Sequence, residues 1–96
     1  MANRNKSYDE ELAKKFENLE FAQLYLLNIV ENEEETVEVA LRETIKAMGL
    51  QNFADQAGLA IQAVSDFVSK RQTWSTEKLS KHIHEVFKLK VKLTLE

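Results

Sequence analysis

Hydrophobic residues recur every three or four positions along most of the chain, the period of a helix with one buried face. Leu12 and Phe16 lie four apart behind Ser7-x-x-Glu10, a capping-box spacing that predicts a helix start at Ser7. Asn18 restarts the pattern. Leu19, Ala22, Leu26 and Ile29 or Val30 then form a stripe, with Tyr25 beside it. The acidic run "ENEEE", residues 31–35, predicts a solvated connection into a helix N-terminus, where carboxylates meet the positive end of the dipole. Val37, Leu41, Ile45 and Met48 predict a helix over about 34–48, closed by Gly49 as a left-handed cap. Two short helices are expected over about 51–57 and 61–70, separated by Gly58. Another starts at Ser75 or Thr76 and turns Leu79, Ile83, Val86 and Phe87 inward. At the end the period changes. "LKVKLTL", residues 89–95, alternates strictly, which predicts a strand with one buried face.

Composition supports a helical reading. There are no prolines and two glycines among 96 residues, so few positions break a helix. A chain of this length makes one small domain whose thin core would gain from a partner chain. With no cysteine there is no disulfide, thiolate zinc site or cysteine nucleophile, and a reducing cytoplasmic setting is expected. No apolar run is long enough to span a membrane, and "MANRNKS" carries no apolar segment of a secretory signal. The net charge of -3 hides an asymmetry. Residues 8–43 hold eleven acids against Lys14, Lys15 and Arg42, a net of -8. Residues 69–92 hold seven bases against Glu77 and Glu85, a net of +5. The basic third can meet a polyanion, while the acidic half faces away from it or toward a basic protein.

The stretch "NFADQAGLAIQAVSDFV", residues 52–68, carries the sharpest signal. Two helices crossing closely need a small residue on the first, a positive backbone angle in the turn and an aliphatic lock on the second. Ala54, Gly58 and Val64 supply these, with Phe53, Ala57, Leu59 and Phe67 filling the inward positions. This Ala-x3-Gly-x5-Val spacing is the signature of the helix-turn-helix of phage lambda-repressor-like regulators. It also fits an idle helix hairpin of purely structural purpose. In the DNA-binding reading the second short helix enters the major groove of double-stranded DNA. Gln62, Ala63 and Asp66 are then exposed readers, with Ser65 and Ser69 to the side. Gln can pair with adenine, and a carboxylate can accept from the cytosine amino group. Lys70, Arg71, Gln72 and Thr73 would hold phosphates, as would the amide-rich helix start at Gln51 and Asn52. The groove helix holds no Arg or Lys, and Asp66 would face a polyanion.

Other constellations are weaker. His82 and His84 lie two apart, on different sides of a helix, and read as surface histidines; no third ligand makes a metal site. No serine–histidine–acid pattern or glycine-rich phosphate loop is present, so neither catalysis nor a cofactor is expected. Trp74 either plugs the gap between groove helix and last helix or lies against a DNA backbone. The terminal strand cannot stand alone. Leu89, Val91, Leu93 and Leu95 need an edge to pair with, in the same strand of a second subunit or in a different protein. A two-fold dimer would set two groove helices about 34 Å apart, one DNA turn.

In this order the pieces resemble a known family. "SYDEELAKKFENLEFAQLYLLNIVE", "VALRETIKAMGLQNFADQAGLAIQAVSDFVS" and the terminal "FKLKVKL" are similar to addiction-module antidote proteins, small antitoxins and antitoxin-like regulators of the lambda-repressor-like superfamily. The resemblance spans residues 7–95. It implies a homodimer that represses its own operon, and a toxin partner, usually a ribonuclease acting on messenger RNA. It makes Ala54, Gly58 and Val64 scaffold, and Gln62, Ala63, Ser65 and Asp66 readers. The chain departs from the family after the groove helix, where "KRQTW", residues 70–74, replaces a usual Gly-Asn-Pro run. The expected architecture is mainly α: a lambda-repressor-like helix-turn-helix bundle over 34–96, preceded by extra helices in an N-terminal extension, 1–33, and ended by a β-strand that pairs in a dimer. The expected function is DNA-binding transcription regulation, with neutralisation of a basic toxin without DNA binding as the alternative.

Overall fold

Local capping residues set most helix starts. The computed structural model describes residues 11–90, which open on a helical stretch over 11–15, α1. The Asn18 side chain accepts the Phe21 amide at 3.1 Å and begins α2, Leu19–Asn32. Thr36 accepts the Val39 amide at 3.2 Å and begins α3, Val37–Met48. Gly49, at φ 100, ends α3 and at once begins α4, Leu50–Ala57. Gly58 ends α4 in the left-handed conformation, and α5 follows as Ile61–Val68. Ser75 accepts the Lys78 amide at 3.2 Å and begins α6, Thr76–Phe87. Each of these three side chains satisfies one of the orphan amides of a first turn. The chain is mainly helical, and no strand occurs among the described residues.

The helices share one hydrophobic cluster. α2 packs across α3 and touches α6; α3 supports both α4 and α5; α4 packs against α5 and α6. The largest fully enclosed hydrophobic side chains come from four helices: Leu41, Ile45 and Met48 of α3, Phe53 of α4, Val64 and Phe67 of α5, Ile83 and Phe87 of α6. Phe16, Ala22, Leu26 and Ile29 join the same cluster from residues 11–33. Phe16 stands edge-on to Phe21 and Tyr25, with ring centroids 5.1 and 5.0 Å away. Gln23 donates to the Phe87 carbonyl at 2.8 Å, which fixes the end of α6 beside α2.

Several boundaries differ from the sequence expectation, each for a physical reason. Only part of the acidic run leads into α3: Glu33, Glu34 and Glu35 form the exposed connection before the Thr36 cap. Glu31 and Asn32 are the last residues of α2, and Glu34 sits at φ 55 in the connection. Glu31 therefore meets the negative end of a helix dipole, the opposite of the arrangement the run suggested. The third helix begins at Val37 rather than near 34, because Thr36 caps it. The second short helix ends at Val68 rather than 70, because Lys70 turns left-handed at φ 70. Leu19, expected in the inward stripe, is 44% exposed at the first position of α2.

The predicted capping box at Ser7 and Glu10 lies outside the described residues, as do Val91, Leu93 and Leu95 of the predicted strand. Leu89 is described. It follows the left-handed cap at Lys88 without forming a strand, half-buried against the core. No helix among the described residues is long and apolar enough to cross a membrane.

Candidate nucleic-acid interface

The α4–α5 pair is locked as the sequence spacing requires. Ala54 and Val64 are completely buried. Gly58 holds φ 69, and the Leu59 amide reaches back to the Ala54 carbonyl at 2.9 Å, closing the turn. Phe53 and Phe67 are also enclosed, whereas Ala57 and Leu59 are half-buried at the edge of the core.

Burial then decides which side of α5 is available. At about 3.6 residues per turn, Ile61, Ser65, Ser69, Gln62 and Asp66 fall on one contiguous arc. Ala63, Val64, Phe67 and Val68 fall on the other side. Burial follows this division: Val64 and Phe67 are buried, Ile61, Gln62 and Ser69 are exposed, and Ser65 and Asp66 are half-buried. Ala63 lies at the flank, half-buried, rather than out with Gln62.

Asp66 is engaged within the chain. Its Oδ1 accepts from Gln62 Nε2 at 3.0 Å and lies 3.7 Å from an Arg71 guanidinium nitrogen. Its backbone carbonyl accepts the amides of Arg71 (2.9 Å) and Gln72 (3.1 Å) and the Ser69 hydroxyl (3.3 Å). The carboxylate expected to oppose a polyanion thus has a cation beside it. The Arg71 side chain remains 71% exposed.

The loop after α5 closes as a Schellman turn. The Lys70 amide donates to the Phe67 carbonyl and the Arg71 amide to the Asp66 carbonyl, with Lys70 in the left-handed position usually held by glycine. Lys70, Arg71, Gln72 and Thr73 are all exposed. Across α4, Gln51 is exposed with its amide on Asp55 Oδ1 at 2.7 Å, and Asn52 is half-buried, accepting from Gln56 at 2.9 Å. Gly49 offers α4 no side-chain cap, so no side chain of the cap residue occupies the first-turn amides.

Two residues behind this surface hold it in place. Trp74 is 5% exposed and stacks on Phe67 at 4.0 Å with planes 10° apart. Its other neighbours are Phe53 and His82, and the Lys78 ammonium lies 5.1 Å above its ring. Trp74 therefore plugs the gap between α5 and α6, and the alternative of an indole lying on a DNA backbone is excluded by its burial. Its Nε1 is buried without a hydrogen-bond partner. His82, expected on the surface, is 4% exposed and meets Glu85 Oε1 at 3.1 Å, whereas His84 is exposed. Tertiary packing against Trp74 drew it inward. Among the described residues no three His, Cys, Asp or Glu side chains are placed to hold a metal ion.

Arg42 was not singled out by sequence. It is 7% exposed on α3, donates Nε–H to the Phe67 carbonyl at 2.7 Å, pairs with Glu38 at 2.7 Å and covers the Phe67 ring at 4.5 Å. The only signal was one arginine in an otherwise acidic, amphipathic stretch. Lys78 and Lys81, two of the bases in the C-terminal third, border a shallow depression with Leu59, Ser75, Glu77 and His82.

Comparison of the chain with protein-family models, with curated proteins and with solved structures finds no match.

Proposed function

We infer that the chain is a DNA-binding transcriptional regulator of the helix-turn-helix type, the antitoxin-like component of a toxin–antitoxin module, acting on operator DNA as a homodimer. The observation that carries this reading is the α4–α5 pair. Ala54 and Val64 are fully enclosed around a left-handed Gly58, and the opposite arc of α5 is left polar and accessible. α5 is the helix that would enter the major groove, with Gln62 at its exposed leading end. Exposed Lys70 and Arg71 and the uncapped start of α4 are where phosphates would be held.

The departure from the family's loop weighs less than it did in sequence. Lys70 adopts the left-handed angle that a glycine would supply there, so the turn is closed while a cation is added. Pairing Asp66 with Arg71 reduces the local repulsion of a polyanion. The dimer remains part of the proposal through the alternating segment 89–95, of which Leu89 is seen against the core.

A second reading has its own observation. On α2, Phe21, Leu24, Tyr25 and Leu27 line an open groove edged by Glu31, and Leu24 is 59% exposed. Such an apolar, acid-edged face suits a basic protein partner and supports neutralisation of a toxin without DNA.

Electrophoretic mobility measurements with the DNA immediately upstream of the coding region separate the two. Regulation predicts a shifted band at low salt that unrelated DNA competes poorly. Absence of any shift with the assembled protein, together with a tight complex with a basic protein, favours the second reading.

A further inference from the structure

Ile61 opens α5 with 46% of its surface in solvent. Among the described residues, the other exposed large hydrophobics are Leu19 and Leu24, both on α2. A single exposed isoleucine is ordinary on a protein surface. Its place is less ordinary. Ile61 is neither in the buried cluster nor among the partly buried side chains packed on it. It stands on the same arc as Gln62, the one arc of α5 that packing leaves open.

Gln62 is held in a defined way. A carboxylate only accepts, so the contact with Asp66 Oδ1 turns the nitrogen end of the amide toward Asp66. The carbonyl oxygen and one N–H remain. That acceptor–donor pair matches the N6 amino group and N7 of adenine in the major groove. Asp66 is a positioning residue here, because its Oδ1 is already shared by Gln62 and Arg71.

We propose that the leading end of α5 recognises A·T pairs, with the exposed Ile61 side chain packing on a thymine C5-methyl group and Gln62, oriented by Asp66, pairing with a neighbouring adenine. Thymine is the base whose major-groove edge offers a methyl group, so an apolar side chain at the groove face is a thymine reader by its chemistry. The inference rests on the helix-turn-helix reading and adds which bases the site takes.

The test uses the full chain and randomised duplex DNA. Selection at low salt supplies a bound duplex, and each thymine in it is then replaced singly by deoxyuridine, which pairs identically and lacks only the methyl group. The wild-type protein is expected to lose about fourfold in affinity at one thymine per half-site, the effect of withdrawing one buried methyl. Ile61→Ala, an exposed change that leaves the fold intact by circular dichroism, is expected to bind the thymine and deoxyuridine duplexes equally. Gln62→Ala and Asp66→Ala are expected to reduce an adenine-over-guanine preference of about tenfold while keeping the thymine effect. Selection that enriches no sequence from DNA the protein does retain overturns the inference. So does indifference of the wild type to every deoxyuridine, or persistence of the thymine effect in Ile61→Ala. These results leave DNA binding itself in place. Failure to retain any duplex at low salt instead overturns the helix-turn-helix reading beneath it.

Discussion

Arg42 Nε lies 2.7 Å from the carbonyl oxygen of Phe67, and its guanidinium lies 4.5 Å from the centroid of the same residue's ring. One side chain of α3 thus satisfies a backbone group at the end of α5 and covers its largest core residue. Glu38, on the turn before, balances the charge at 2.7 Å. The orientation of α5 is set from behind by a polar clamp as well as by packing.

Arg42→Ala should therefore destabilise the fold by about 2–3 kcal/mol, the usual range for losing a buried charge-assisted hydrogen bond. Arg42→Lys should recover only part of this, since an ammonium cannot make the same flat contact with the ring and reach both partners. Urea denaturation followed by helical circular dichroism measures both. A loss below about 0.5 kcal/mol for Arg42→Ala would show that the clamp is incidental.

Trp74 separates packing from hydrogen bonding. Its ring is stacked on Phe67, but its Nε1 has no partner. Trp74→Ala should cost about 3–5 kcal/mol through the cavity it leaves. Trp74→Phe should cost much less, about 1–1.5 kcal/mol, because removing the unpaired N–H offsets part of the lost area. The ratio of the two losses, from denaturant titration, is the readout; equal losses would mean the indole nitrogen is in fact satisfied.

Gly58 and Lys70 share a left-handed conformation, at φ 69 and φ 70, and should respond oppositely to substitution. At Gly58 a Cβ would meet nothing within 4 Å, so Gly58→Ala carries only the backbone term, a loss of about 1–2 kcal/mol. Lys70→Gly removes the same strain and should leave stability unchanged or raise it by up to about 1 kcal/mol. It should also weaken DNA binding and reduce the salt slope by about two units, one phosphate contact in each subunit of the dimer. Thermal melts test the first pair of statements. A Lys70→Gly protein that melts lower than wild type contradicts them.

What could be read from sequence was mostly local. Asn18 and Ser75 cap the helices that their positions suggested, and Ala54 and Val64 are buried on either side of the left-handed Gly58 as the spacing required, because each depends on neighbours within a few residues. Arg42 could not be read, because its partner carbonyl is 25 residues away and nothing in an acidic helix marks one arginine as buried. His82 was misplaced for the same reason: the ring that covers it belongs to Trp74, outside its own helix. The length of α2 was also hidden, since its last acidic turn opposes the dipole and persists in a helix packed on α3. At the candidate interface the residue types were legible, but not that Asp66 is occupied by Gln62 and Arg71.

The central claim is that α5 and the loop after it face DNA, and a salt titration of binding tests it most directly. Fluorescence anisotropy of a labelled upstream duplex, measured with wild type and with Lys70→Gln/Arg71→Gln between low and moderate salt, gives the slope of log affinity against log salt. The expected result is binding that weakens steeply with salt, and a slope shallower by about four units in the double variant, one for each phosphate contact removed from the two subunits of the dimer. Affinity that is absent at low salt, or identical in slope for the two proteins, would contradict the placement of this surface on DNA.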